Sequence, residues 1–531
     1  MSQIDIPIID TFYNSPIVEA YITQSNLLAP FYPSGFDIKG ITESAKTKSF
    51  ESDQRNILVE VLKDQYKKSN IDLIDSLVGK NIDALSVKNT FTITAGQQIH
   101  AYLGPLFVAY KLLSATALAA ACKTKDANNN YVPVFWMATE DHDFEEISKI
   151  NLFGETFIWQ KPTSTNDAVG NLSTNGLVQL GDQLLEKFNN DVETSAIIKQ
   201  MQHIYAEIPN FADATRKILH LFFDDTGIVV LDANDARLKG IFTPILEKEI
   251  VTPQPELIDK YSNYLESNGY KNQINPRESN LFLFQNGNRE RLKIVDNNYQ
   301  TADSNIIFSK DELLKLVKTN PELFSPNVAL RPLYQEYILP NLAYISGGSE
   351  MIYWYQIKGL FEFYNINYPN VWLRKSGMIL PTKLAETIAK AGVHIIDMFK
   401  SENDLTALIS DSLNANNSEI FVNASETQKE LDRLESNYRN SNLFNKSTLD
   451  LIKTVKKELG QLIKKMEEER KSLLNDSPIF SKILKIQENQ FKTKQERDLP
   501  LFTQLKNTPI FNSQHLYNNY INNTKILVLL A

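Results

Sequence analysis

The sequence predicts an α/β fold: a parallel sheet with helical crossovers, interrupted twice, then a helical C-terminal region. Three observations predict it. The stretch Phe91–Ile147 reads as strand, Gly-Gln loop, apolar helix, turn and second strand, and two parallel strands need such a crossover. Compact apolar runs of the same kind recur at Gly227–Asp232, Ala343–Ile345 and Val371–Leu373. Beyond residue 378 the strand signals thin out. There Ile452, Val455, Leu459, Leu462, Met466 and Leu473 follow one another at the spacing of a coiled-coil seam.

Length and composition bound the function classes. A chain of 531 residues exceeds one ordinary core. A net charge of −9 disfavours nucleic acid or an anionic membrane as the main partner. Cys122 is the single cysteine, so no intramolecular disulfide forms. The first residues, MSQIDIPIID, lack the basic and apolar regions of a secretory signal, and no run approaches the ~18 apolar residues of a spanning helix. The expected location is the cytoplasm.

In chain order, residues 1 to 90 suit amphipathic helices broken near Ser69-Asn70. Phe91–Thr94 is a β-branched strand running into Gly96-Gln97-Gln98, and Gly104-Pro105 opens a helix, where proline needs no N–H. Cys122 ends that helix among alanines, as a small buried thiol. Tyr131–Ala138 is apolar without alternation, the pattern of a strand covered on both faces. Residues about 150–222, with a polar tract at Asn166–Asn175, and about 243–330, with Pro253, Pro255, Pro276, Pro321 and Pro326 and an Asn286-Gly287 hairpin turn, read as two insertions. Residues 1–377 thus form the expected core and 378–531 a helical domain, with the coiled coil at about 422–495. The apolar tail ILVLLA is expected to dock on the core.

Ligands of open parallel sheets sit outside the carboxyl ends of the strands, and polar clusters fall at those ends here. The first loop has no GxGxxG, Walker lysine or GxSxG pattern, so Gln97 and Gln98 are read as hydrogen-bonding groups for a polar substrate or for the loop itself. Glu140-Asp141-His142-Asp143 crowds four ionisable groups after a buried strand, where each shifts the others' protonation. Asp143 and Glu146 have the spacing of a helix cap. His142, oriented by Glu140 or Asp141, is the candidate general base. Three consecutive metal ligands on an extended segment are geometrically awkward, so no metal is expected. Gly347-Gly348-Ser349-Glu350 offers backbone N–H groups at a helix start, either an anion cradle or a plain capped turn. Lys111, Arg331 and Arg374 are candidate cations, with Arg374 best placed at a strand end.

Four segments together, GQQIHAYLGPLFVAYK (96–111), VPVFWMATEDHDFEEI (132–147), SPNVALRPLYQEYILPNLAYISGGSEMIYWYQI (325–357) and the later helical seam, resemble the bacillithiol biosynthesis cysteine-adding enzymes across essentially the whole chain. The resemblance implies a Rossmann-like core with two connecting insertions, an α-helical coiled-coil domain and a homodimer. It further implies the last step of bacillithiol synthesis, joining the carboxylate of cysteine to the amine of glucosaminyl malate. Carried over by position, Gln97, Gln98, Gly104 and Pro105 fall on one family motif, Glu140, Asp141, His142 and Asp143 on a second, and Gly347, Gly348 and Glu350 on a third. The third departs from the family's Gly-Pro-Gly-Glu: Gly348 stands where proline would and Ser349 where the second glycine would. Leu103 stands where the family has threonine.

A free carboxylate does not form an amide unaided, so ATP or another nucleotide is the expected cofactor, with no metal beyond magnesium accompanying it. The resemblance also implies a nucleotide site near the coiled coil. In the expected mechanism His142 deprotonates the sugar ammonium, while Arg374 and the Gly347-Gly348 loop receive malyl carboxylates or a phosphate. Two other readings compete: a sugar or nucleotide transferase using the same cleft, and a non-catalytic coiled-coil scaffold.

Overall fold

The structure is a computed structural model that describes residues 3–163, 167–413, 418–440, 445–475, 478–507 and 523–530. Asn166 of the first polar tract, the side chain of Leu473 in the expected seam, and Ala531 lie outside the described residues. The chain divides into two compact units.

The larger unit comprises the described residues of 15–376 and 496–525. Its centre is a five-stranded sheet of β1 (Thr90–Gln97), β2 (Asn130–Met137), β3 (Val229–Asp232), β4 (Asn341–Ser346) and β5 (Asn370–Leu373), in the order β5-β4-β1-β2-β3. Every pairing is parallel. The strands are buried almost throughout, which is why they read as continuous apolar runs. This is the expected α/β, Rossmann-like core. The register sets Gly96 beside Trp136 and Met137 beside Asp232. The carboxyl ends of β1, β2 and β3 are therefore level.

Helix α1 (Phe107–Lys125) makes the crossover from β1 to β2, and thirteen of its residues are buried. Cys122 lies within it fully buried, and burial pushes its thiol up to about 12. The short helix α2 (Phe144–Ile147) begins where Asp143 Oδ1 accepts the Glu146 N–H at 3.2 Å, the cap expected of that spacing. Between α2 and β3 lie, among the described residues, a hairpin (Lys149–Leu152 with Glu155–Ile158) and the α-helices Leu177–Lys187, Val192–Glu207 and Phe211–Phe223. Between β3 and β4 come α3 (Ala236–Val251), an antiparallel sheet built on the hairpin Leu281–Gln285 and Asn288–Val295, and α4 (Arg331–Ile338). The Asn286-Gly287 turn forms this hairpin, with both residues at positive φ. The helix expected over Glu350–Phe363 is two helices, α5 (Gly348–Gln356) and Lys358–Tyr364, separated at Ile357. The second lies so close to another segment that a Cβ on Gly359 would stand 2.7 Å from the Leu257 carbonyl oxygen.

The smaller unit comprises residues 3–14, 377–495 and 526–530 of the described chain. The apolar tail, expected on the core, is instead the strand Lys525–Leu530, parallel to Gly377–Leu380 and lying between it and Gln3–Pro7. Strand pairing satisfies the backbone of such a run, which surface docking would leave exposed. The expected seam lies on one 30-residue helix, Lys446–Asn475, packed on Ser418–Arg439 through Lys456, 2.7 Å from Asp432 and 2.6 Å from Glu435. Ile452, Leu459 and Met466 are partly shielded, whereas Val455 and Leu462 are exposed.

Candidate active site

A cleft of about 250 Å³ opens at the carboxyl ends of the central strands. The end of β1 contributes Gly96, Gln97 and Gln98, and the end of β2 contributes Trp136, Ala138 and Asp141. Glu146 enters from α2, Arg331 and Gln335 from α4, Tyr344 from β4, and Glu350, Tyr353 and Trp354 from α5. A shallower surface with His142, Asp143 and Lys161 adjoins it through Gln98, Asp141 and Glu146.

The wall at β1 is held by a buried cation. Lys111, on α1, donates to Gly96 O at 2.8 Å, Gln97 Oε1 at 3.0 Å and Glu350 Oε1 at 2.7 Å. Glu350 Oε2 in turn accepts the Gly347 N–H at 2.6 Å. One lysine thereby ties the loop after β1 to the start of α5. The opposite wall centres on Asp141. Its Oδ2 accepts from Gln98 Nε2 at 3.0 Å, its Oδ1 accepts the His142 N–H at 2.8 Å, and Arg331 Nη1 stands 3.7 Å away. Burial alone would raise this carboxyl, but the guanidinium groups of Arg331 and Arg289 and these hydrogen bonds hold it at about 2. Asp141 is a fixed anion. Glu146 shifts the other way, raised first by burial and then by Asp143 and Asp141, with Gln98 opposing.

Gln335 donates from Nε2 to Glu336 Oε1 at 2.9 Å, and Asn341 donates to the same oxygen at 2.7 Å. Glu336 is fully buried and faces Lys48 at 3.7 Å. The carboxylate orients the Gln335 amide so that its NH₂ points inward and its carbonyl oxygen is the end left for the cleft.

Several expected site residues serve the fold instead. Glu140 does not orient His142: it is buried, with Lys239 Nζ 2.8 Å from its Oε1. Adjacent residues leaving a strand diverge, so Glu140 turns inward while Asp141 faces the cleft. Asp141 does not hold the imidazole either, since His142 Nδ1 lies 3.7 Å from its Oδ1. The ring's partner is Arg289, whose Nη1 is 3.0 Å from Nδ1. Arg374 is not free for a substrate, because it pairs with Glu496 at 2.5 and 3.1 Å and is buried. Gly104 lies away from the cleft at φ +69°, where its carbonyl accepts the Leu501 N–H at 2.7 Å. Gly348 is a packing glycine: a Cβ there would meet Val18 Cγ2 at 2.7 Å. Asp143 caps α2 and borders the shallower surface.

The loop at Gly347 does not fit a nucleotide phosphate, because the Glu350 carboxylate already takes its first N–H and brings negative charge. Among the described residues, no three His, Cys, Asp or Glu side chains converge as a metal site. Sequence reasoning missed Arg289 and Gln335. Gln335 is four residues after Arg331 and so shares its helical face. Arg289 comes from a hairpin distant in sequence, which no local pattern relates to His142.

A family model described as "Bacillithiol biosynthesis BshC, N-terminal Rossmann-like domain" matches residues 4–375. The chain belongs to the BshC family. All cleft residues, from Gly96 to Trp354, fall within the BshC match. Relatives named "Putative cysteine ligase BshC" include that of Flavobacterium johnsoniae, 36% identical over 405 residues, covering 76% of this chain and 75% of the relative. That of Christiangramia forsetii is 38% identical over 409 residues, covering 75% and 74%. That of Flavobacterium psychrophilum is 34% identical over 497 residues, covering 91% of each.

Proposed function

We propose that this BshC-family chain is a ligase that joins the carboxylate of cysteine to the amine of glucosaminyl malate, forming the amide of bacillithiol in the last step of its biosynthesis. The observation that carries the reading is the convergence, within the family-matched span, of a fixed anion (Asp141), a guanidinium (Arg331) and oriented amides (Gln97, Gln98, Gln335) in one cleft. Glucosaminyl malate has both charge signs and several hydroxyls, and such a cleft answers each.

Arg331 is the receiver for a malyl carboxylate. Its buried Nε has no hydrogen-bond partner among the described residues, so a planar carboxylate would satisfy an unfilled donor. Asp141 and Glu146 face the sugar ammonium. Glu146, whose carboxyl burial raises, is the group suited to take the ammonium proton before attack. Asp143 contributes negative potential from the rim, and Glu140 acts by fixing the β2 end through Lys239.

A nucleotide such as ATP would supply the activation that a free carboxylate lacks. The proposal also takes the protein to be a cytoplasmic homodimer. No helix among the described residues is long and apolar enough to cross a membrane.

Calorimetric titration tests the reading. Glucosaminyl malate is expected to bind the wild-type chain, and Arg331→Met to weaken it at least about tenfold, the loss of one charge-assisted pair. Wild-type binding of a nucleotide sugar with none of glucosaminyl malate would favour the transferase instead.

A further inference from the structure

We infer that Arg289 holds His142 as the Nε2-protonated tautomer, so that His142 serves as a hydrogen-bond donor to a substrate oxygen and not as a base. The inference rests on the ligase reading for the identity of that oxygen, but not for the tautomer.

A guanidinium has donors and no acceptor. With Arg289 Nη1 3.0 Å from His142 Nδ1, Nδ1 must present its lone pair, and the single proton of a neutral ring is then on Nε2. Arg289 is not free to turn away. Its Nε donates to Ser325 Oγ at 3.0 Å, its Nη2 to Pro326 O at 3.1 Å, and its guanidinium carbon lies 3.7 Å from the centre of the Phe282 ring. It is 4% exposed. The hairpin strand Leu281–Gln285 joins these contacts, pairing Phe284 with Arg289 on one side and Phe282 with Ser325 on the other.

The other charged groups near the ring do not reverse this. Asp141 Oδ1 is 3.7 Å from Nδ1 and already accepts the His142 backbone N–H. Asp141 and then Asp143 favour a second ring proton, while Arg331 joins Arg289 in opposing it. Burial and Arg289 together lower the imidazole below its ordinary value. Protonating Nδ1 would set two N–H groups against each other. Nε2 receives no hydrogen bond from the described residues, and the side chain is 37% exposed beside Gln98 and Glu146.

In amide formation the amine nitrogen, its proton taken by Glu146, bonds to the activated cysteinyl carbon as the carbonyl π pair moves onto oxygen, and the return of that pair would expel the phosphate or nucleotidyl group that had activated the carboxylate. His142 Nε2–H can hydrogen-bond that oxygen while keeping its own proton. Arg289 is then a positioning residue acting through His142.

The test is long-range ¹⁵N–¹H correlation spectroscopy of the full chain labelled at histidine, with His142→Gln used to assign the signal. Wild type is expected to show Nε2–H with bare Nδ1. Arg289→Met is expected to give mixed tautomers and an imidazole that titrates higher, and Arg289→Lys, again a pure donor, to return most of the wild-type pattern. A wild-type Nδ1–H signal would overturn the inference whether or not the Arg289 variants fold, and so would an unchanged tautomer in folded Arg289→Met. In the ligation assay, His142→Gln keeps a donor and is expected within about tenfold of wild-type kcat, with His142→Leu down about 100-fold or more. Equal loss in both would restore the base. If wild type forms no amide, the ligase reading fails while the spectra still decide the tautomer.

Discussion

Replacing Lys111 by methionine keeps the length of a buried side chain and removes its charge. In the native structure the ammonium satisfies Gly96 O, Gln97 Oε1 and Glu350 Oε1, all within 3.0 Å. The substitution leaves three acceptors without that donor, one of them a carboxylate. Breaking a buried ion pair by deleting one partner costs about 3–5 kcal/mol. The Lys111 side chain is 1% exposed but Glu350 is 28% exposed, so water recovers part of the carboxylate's solvation. The lower end, about 3 kcal/mol, is therefore expected. Urea unfolding followed by tryptophan fluorescence reads it, since Trp136 and Trp354 line the same cleft. Adding Glu350→Gln removes the stranded charge, and the double variant is expected to lose about 1–2 kcal/mol less than the sum of the singles. A Lys111→Met loss under about 1 kcal/mol, or strict additivity, would refute the claim that this lysine ties the β1 loop to α5.

Other consequences follow from the same contacts. Asp141 titrates at about 2, against an ordinary value of 3.8. A folded-state value below the unfolded one contributes stability above the unfolded pKa that is lost as pH falls through the folded pKa, here between about pH 4 and 2, and amounts to about 2 kcal/mol. Denaturant midpoints of Asp141→Asn should therefore converge on wild type through that window, and a constant gap contradicts the assignment. Lys239→Met strands buried Glu140 and is expected to cost about 3–5 kcal/mol, with Glu140→Gln added recovering much of it; a surface-like loss below about 1 kcal/mol argues against the inward Glu140. Gly104→Ala meets both positive φ and the His100 Cβ at 2.8 Å. It should lower thermal stability by about 1–3 kcal/mol while the folded fraction binds glucosaminyl malate normally, and weakened binding would put Gly104 back in the site.

The five core strands were legible because parallel strands buried on both faces leave uninterrupted apolar runs, and their polar ends announced the cleft. What residue patterns could not assign was direction. Glu140 and Asp141 are neighbours of equal chemistry, yet one meets Lys239 and the other the cleft, a choice made by how the chain leaves β2. Arg374 had the right strand end, but its partner Glu496 returns to it from 122 residues later in the chain. Long-range pairing of this kind has no local signature. His142 misled for the same reason: an imidazole beside acids looks like a base until Arg289, supplied by a hairpin in the second insertion, takes the nitrogen that would have faced them. The apolar tail carries no local signal that separates strand pairing from surface docking, because its partner strands Gly377–Leu380 and Gln3–Pro7 are distant in sequence.

The central claim, that this cleft serves amide formation, is tested most directly by incubating the purified chain with cysteine, glucosaminyl malate and ATP and examining the products by mass spectrometry. The expected result is a condensation product equal to the two substrates less one water, dependent on the nucleotide and abolished or strongly reduced in Arg331→Met. Intact substrates under these conditions, or a product in which the sugar amine of glucosaminyl malate is still free, would contradict it.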